Sequence, residues 1–274
     1  MTSPLTAVER VKNAVRFAVA GPGQLKVEWK RQAPGWLMNH LNRAMVPKAK
    51  RKMLIEDLAW RTDQQGEKPL AKEYSQPGAT RRPNQVRSSP VMGDVFAWLA
   101  ETRRPRAIVE FGTAFGFSGM YWLSGLETAG SGHLYSFEIN PIWAEIAKSN
   151  LGSIGTRFTL TVGSFEDNVD RVVPQPIDIA FVDGIHTYEW VTTQYSILKR
   201  KVAPGAILLF DDIDFATGRM RECWEDIATD KDVTAACELN DHVGVIEPVH
   251  NFVAFTHWDC EGVPDEVRRR CLVS

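Results

Sequence analysis

The chain has few of the features that would take it out of the ordinary globular class. No apolar run approaches the roughly 20 residues that cross a bilayer, so no membrane-spanning helix is expected. Only four cysteines occur in 274 residues, Cys223, Cys237, Cys260 and Cys271, and none are in C-x-x-C spacing. That argues against a disulfide scaffold and for reduced thiols in a cytoplasmic protein. Glu9, Arg10, Lys12 and Arg16 interrupt the apolar positions near the N-terminus, so no secretory pattern is read there. There is no internal repeat and no low-complexity tract.

What is present suits one α/β domain with an extension. Hydrophobic content of 44% and charged content of 24% are ordinary for a globular protein. The net charge of −2 hides an asymmetry: residues 1–106 carry 20 Lys and Arg against 9 Asp and Glu, the remainder 12 against 25. A basic front half suits an anionic partner, whether a phosphorylated or nucleotide-linked substrate, an anionic membrane surface or the acidic half of a neighbouring subunit. A solvated helical face is the plainer alternative.

Residues 5–19 read as an amphipathic helix (Leu5, Val8, Val11, Val15, Val19) stopped by Gly21-Pro22-Gly23. Its stripe suits packing on the protein or on a second copy in a homo-oligomer. Residues 24–60 interleave Trp29, Trp36 and Trp60 with the basic cluster Lys48 to Lys52. Peripheral membrane contact fits such a pattern, but no nucleic-acid fold signature accompanies it and nucleic-acid binding is not expected. Residues 62–90 are rich in Gly, Pro, Gln, Ser and Arg and read as a linker or loop rather than a packed element. Val91 to Leu99 reads as a helix. The division expected is an extension over 1–87, a core domain over 88–250 and a tail over 251–274.

From residue 107 strand and helix patterns alternate. Strands are expected at 107–111, 133–138, 157–162, 177–182 and 205–210, and helices at 117–128, 141–150, 165–172, 188–201 and 215–229. This alternation predicts a parallel sheet with helices on both faces. Residues 232–247 supply two further strands, with Asp241-His242 as their turn.

The first strand runs into Glu110-Phe111-Gly112-Thr113-Ala114-Phe115-Gly116-Phe117-Ser118. Gly112 and Gly116 allow a tight turn and a close ligand, and the helix that follows directs free N–H groups over the turn. The glycines are four apart, unlike the Gly-x-Gly-x-x-Gly of nicotinamide enzymes. Ligands in open α/β sheets gather at the C-terminal strand ends, where this chain places Glu110, Glu138, Asp183 and Asp211-Asp212. A carboxylate at Glu138 can accept both hydroxyls of a ribose. Asp183, Asp211 and Asp212 offer three hard oxygen donors that suit Mg²⁺ or another divalent cation. His186, three residues after Asp183, titrates in the range a general base needs. Asp211-Asp212 could instead cap the helix near 215.

The stretch from Glu110 to Ser118 resembles motif I of class I S-adenosylmethionine (SAM) methyltransferases. Asp183-Gly184-Ile185-His186, with Gly205 and Asp211-Asp212, resembles metal-dependent small-molecule O-methyltransferases. The match is nearest to the bacterial macrolide-sugar enzymes and more distant to the catechol and caffeoyl-CoA enzymes; Ala206 departs from the usual second glycine. The resemblance covers about residues 88–247. It implies a Rossmann-like, mostly parallel seven-stranded sheet with a closing antiparallel hairpin and an N-terminal helical lid. It implies cofactor contacts at Glu110, Gly112, Thr113, Ala114, Gly116, Ser118, Glu138, Ile139, Ser164, Phe165 and Asp183, although Phe165 could instead be a core aromatic. Metal ligation is implied at Asp183, Asp211 and Asp212, with His186 and Asp183 catalytic. Arg81, Arg82 and Arg87 would lie near the entrance under a lid.

The function implied is methyl transfer from SAM to a hydroxyl of a small acceptor, sugar-containing or anionic, with a phenol or catechol as the alternative acceptor. A SAM-binding partner protein without catalysis is a further alternative. Amino-directed enzymes carry Asn/Asp-Pro-Pro-Tyr where this chain has Asp183-Gly184-Ile185-His186, which argues against N-methylation.

Overall fold

The computed structural model describes residues 25–33, 35–41, 46–73, 78–174 and 176–248. The helix expected over 5–19, the tail from 249 and Cys260 and Cys271 lie outside those residues.

Eight strands form the main sheet: β1 (Val27–Arg31), β4 (Ala107–Phe111), β5 (His133–Glu138), β6 (Phe158–Val162), β7 (Ile177–Val182), β8 (Val202–Phe210), β9 (Val233–Leu239) and β10 (Val243–Pro248). A small hairpin pairs β2 (Lys68–Pro69) with β3 (Thr80–Arg81). The helices are α1 (Trp36–Leu41), α2 (Lys52–Asp63), α3 (Pro90–Arg103), α4 (Phe117–Ala129), α5 (Pro141–Gly152), α6 (Phe165–Val172), α7 (Tyr188–Lys201) and α8 (Met220–Thr229).

The order across the sheet is β1-β9-β10-β8-β7-β4-β5-β6. The five strands from β8 to β6 are parallel. β10 inserts antiparallel beside β8, and β9 closes the hairpin. These are the seven strands expected, in a Rossmann-like arrangement with helices on both faces. β1 adds an eighth, antiparallel to β9.

Side-chain parity divides the core. Ile108, Leu134, Ile179, Phe181, Ile207 and Leu209 face α3, α4 and the extension's Leu37, Ile55 and Ala59. Val109, Phe111, Phe137, Ala180, Val182, Leu208 and Phe210 face Phe165, Tyr195 and Trp224 of α6, α7 and α8. Strands buried on both sides read as continuous apolar runs, which is why the sequence marks them so clearly. Phe181 packs on Phe96, ring centroids 4.7 Å apart, and truncating such a residue costs about 3–5 kcal/mol.

The segment read as an unpacked linker over 62–90 is, in its described part, anchored. Asp63 accepts from Arg82 Nη2 at 3.0 Å and from the Asn84 N–H at 3.1 Å. Arg87 meets Glu56 at 2.6 Å with both side chains largely buried. Composition misleads here because two of its arginines are spent on acids of α2. The basic cluster is likewise partly internal: Lys52 Nζ lies 2.5 Å from Asp94 Oδ2 with both side chains largely buried, while Lys50 pairs with Glu101 on the surface.

Candidate functional site

Every carboxylate singled out at a strand end lies at the C-terminal edge of the parallel strands. The turn after β4 is built for close approach. Gly112 has φ +81°, and a Cβ there would collide with the Asp183 carbonyl oxygen. Gly116, at φ +83°, is the N-cap of α4. Ala114 holds φ +46°, an uncommon value for a residue with a side chain. Its N–H donates to Glu138 Oε2 at 2.7 Å, while Glu138 Oε1 accepts from the Asn140 N–H at 2.8 Å. The cradle is thus tied to the end of β5.

Glu110 is fully buried. Its Oε2 accepts from Ser136 Oγ at 2.5 Å, and Ser136 also meets Thr113 Oγ1 at 2.5 Å. Its Oε1 has no hydrogen-bond partner. Burial pushes the Glu110 carboxyl up to about 7, with the Ser136 and Ser118 hydroxyls pulling the other way. Glu138 is also pushed up to about 7, chiefly by burial against its backbone donors. A buried, half-satisfied acid is the kind of group that a cationic ligand stabilises.

Ser164 caps α6, accepting from the Asp167 N–H at 3.2 Å and donating to Asp167 Oδ2 at 2.8 Å. Phe165 departs from the expected adenine contact. Its ring is 2% exposed, with its centroid 3.9 Å from that of Phe111 and edge-on to Phe137. It is a core aromatic, because the first residue of α6 turns under the sheet edge. Ile139 is half-buried after Glu138.

The acidic centre lies beside this cradle. His186 Nε2 lies 3.1 Å from Asp212 Oδ2 and 3.7 Å from Asp183 Oδ1, and its ring is 5.5 Å from that of Phe215. Burial holds its pKa below the ordinary value against the pull of Asp212. Asp183 is raised well above the usual carboxylate range, first by burial and then by the charges of Asp211 and Asp212. Asp211 is pushed up to about 7 by burial and by Asp212. Burial also pushes Asp212 upward, but the His242 hydrogen bond and the two imidazoles outweigh it and its pKa is lowered.

His242, in the β9–β10 turn, was not expected here. Its Nε2 lies 3.0 Å from Asp212 Oδ1 and 3.5 Å from Asp211 Oδ1. Hydrogen bonding to Asp212 raises its pKa to about 9. Among the described residues, Asp211, Asp212 and His242 bring three ligand atoms within 4.8 Å of one another; Asp183, placed with the two aspartates from sequence, stands outside that group. The signal was available: β10 lies beside β8, so the residue before β10 must approach the end of β8, where the Ile213 N–H donates to the His242 carbonyl at 3.1 Å.

Residues 109–213 match a family described as a methyltransferase domain. A relative from Mycolicibacterium vanbaalenii, provisionally named an O-methyltransferase, is 32% identical over 99 residues, 35% of this chain and 43% of that protein. One from Mycobacterium avium with the same provisional name is 26% identical over 126 residues, 44% of this chain and 54% of its own. The matched segments span about half the length of these relatives. The SAM complex of the O-methyltransferase TomG from Streptomyces achromogenes superposes with a TM-score of 0.53 at 20% identity, over 70% of this chain and 89% of its own. The S-adenosylhomocysteine-bound methyltransferase PaMTH1 of Podospora anserina gives 0.57 at 14% identity, over 90% and 98%. These structural likenesses are likenesses of fold.

Proposed function

We propose that this chain, whose residues 109–213 match a methyltransferase-domain family, is a SAM-dependent O-methyltransferase acting on a hydroxyl of a small molecule. The observation that carries the proposal is the convergence of the Gly112–Gly116 cradle with the Asp183, His186, Asp211 and Asp212 cluster at one sheet edge. SAM is a cation with a ribose. Glu110, buried with a partnerless oxygen, suits its ammonium end, and Glu138 suits the ribose hydroxyls.

His186 is assigned the general base. It takes the acceptor's hydroxyl proton on its imidazole, and Asp212, 3.1 Å from Nε2, and Asp183, 3.7 Å from it, stabilise the imidazolium that forms. The acceptor oxygen forms its bond to the methyl carbon as the carbon–sulfur bond breaks. Methyl ether and S-adenosylhomocysteine are released, and the proton passes to solvent. SAM is already activated, so orientation supplies most of the rate gain.

A divalent cation fits the donor set, because Asp211 Oδ1 is buried without a hydrogen-bond partner beside Asp212. Asp211 and Asp212 would hold it, with Asp183 adjacent. Bound there, it would orient acceptor oxygens and favour the ionised hydroxyl. A sugar-containing acceptor is preferred on the Asp183-Gly184-Ile185-His186 pattern. The hairpin β2–β3 supports a roof role for the extension: Asn140 Nδ2 donates to the Pro69 carbonyl at 2.8 Å, two residues after Glu138.

Calorimetric titration with SAM, then assay with methyl-labelled SAM against a panel of glycosides and catechols before and after chelation, tests the proposal. Micromolar SAM binding and chelator-sensitive label transfer are expected. Failure to bind SAM would end it.

A further inference from the structure

We infer that His242 is a metal ligand, so that the cation is held by Asp211, Asp212 and an imidazole nitrogen and is a first-row transition ion rather than Mg²⁺. This rests on the cation-assisted reading above. Three observations carry it.

First, the ligand atoms already converge. His242 Nε2, Asp212 Oδ1 and Asp211 Oδ1 lie 3.0 and 3.5 Å apart along the two nitrogen–oxygen edges, within a group no wider than 4.8 Å. Second, Asp211 is 6% exposed and its Oδ1, aimed at that nitrogen, has no hydrogen-bond partner. The imidazole 3.5 Å away is too distant for a normal hydrogen bond to that buried oxygen, and a cation seated between them would stabilise it directly. Third, the other ring nitrogen is already engaged: His242 Nδ1 lies 2.6 Å from Asp214 Oδ1. A carboxylate on the far nitrogen fixes the ring and points Nε2 inward, as carboxylate–histidine pairs do behind metals.

The turn is fixed independently of the cluster. The Lys26 N–H donates to Asn240 Oδ1 at 2.9 Å, and Lys26 Nζ meets Asp241 at 2.6 Å. Lys26, the residue that leads into strand β1, therefore helps set where the histidine stands. A mixed set of two carboxylates and one imidazole suits Mn²⁺, Co²⁺ or Zn²⁺; an all-oxygen octahedron is what Mg²⁺ demands. Asp183 is left to His186 and the acceptor.

The experiment uses the full chain, stripped with chelator and titrated with Mn²⁺ while free ion is followed by electron paramagnetic resonance. Electron spin-echo modulation then tests for a directly bound ¹⁴N. We expect nitrogen modulation in the native chain and in His186→Ala, and its loss in His242→Ala and His242→Gln. Mn²⁺ affinity should fall about 10- to 100-fold in either His242 variant and about 10-fold in Asp214→Asn. Mg²⁺ should displace Mn²⁺ only in large excess, on the order of 100-fold. Tight Mn²⁺ binding without nitrogen modulation, or modulation lost in His186→Ala instead, would overturn the assignment and leave the cation reading standing. No Mn²⁺ binding at millimolar concentration would remove both. The native and His186→Ala spectra decide the matter even if the His242 variants fail to fold.

Discussion

The carbonyl oxygen of Asp183 occupies the space where a Cβ on Gly112 would project, so the turns after β4 and β7 touch backbone to backbone. The Asp183 N–H also donates to the Phe111 carbonyl at 3.1 Å. The Gly112–Gly116 cradle and the acidic centre are therefore joined through backbone.

Gly112→Ala should consequently damage both. It adds left-handed strain at φ +81° to a collision with backbone that cannot move aside. The expected loss is about 2–4 kcal/mol in urea unfolding, with SAM affinity falling as well. Gly130→Ala is the control, since φ is +71° there but nothing lies within 4 Å of the added carbon. It should cost only about 1 kcal/mol and leave SAM binding intact.

The buried acids set a pH dependence whose sign is unusual for carboxylates. Glu110 and Glu138 rise from 4.5 in the ordinary state to about 7 in the fold. The folded state thus holds more protons than the unfolded chain between those values. Its stabilising share is complete below about pH 4.5 and is lost as pH rises through about 7. Each group contributes on the order of 3 kcal/mol at most. The melting temperature of the cofactor-free protein should fall from pH 5 to pH 8, and Glu110→Gln should flatten that slope. SAM should raise the melting temperature more at pH 8 than at pH 5. A slope identical in Glu110→Gln would refute the assignment.

His186→Ala tests the base. Loss of a positioned general base costs about 10²- to 10⁴-fold in rate. The effect should fall on kcat in single-turnover assays, with SAM affinity by calorimetry unchanged within a few-fold. Activity that survives the substitution would move the base role elsewhere, with Asp183 the next group to test.

How much of this could be read from sequence depended on what carries each signal. The parallel strands are apolar runs bounded by glycine and carboxylate, and β4, β5 and β7 fall at 107–111, 133–138 and 177–182 as expected. β1 was invisible because Val27-Glu28-Trp29-Lys30-Arg31 is an edge strand with three charged residues in five. Phe165 looked like a ligand contact because only its position relative to a strand end was legible, not the core space beneath Phe111 and Phe137. His242 escaped because its partners lie some 30 residues away in sequence, and only the register of β10 on β8 brings them together. The 62–90 segment read as a linker because the acid partners of Arg82 and Arg87, Asp63 and Glu56, stand on α2, which closes as the segment begins.

That last relationship carries its own prediction. Glu56 Oε1 accepts from Arg87 Nη2 at 2.6 Å and from the Tyr121 hydroxyl at 2.7 Å, and the Arg87 guanidinium lies 5.2 Å from the ring centre of Phe117. Phe117 opens α4 directly after Gly116, so this cluster ties α2 to the first turn of α4. Glu56→Ala strands a largely buried guanidinium and a buried phenol together. Such a loss costs about 3–5 kcal/mol. Glu56→Gln keeps an acceptor and the side-chain volume and should recover part of it. Hydrogen exchange should speed up across residues 52–63 and at the start of α4 in Glu56→Ala, and SAM affinity should fall with it. Exchange that speeds up in α2 while α4 and SAM binding stay unchanged would show that the extension packs on the site without helping to shape it.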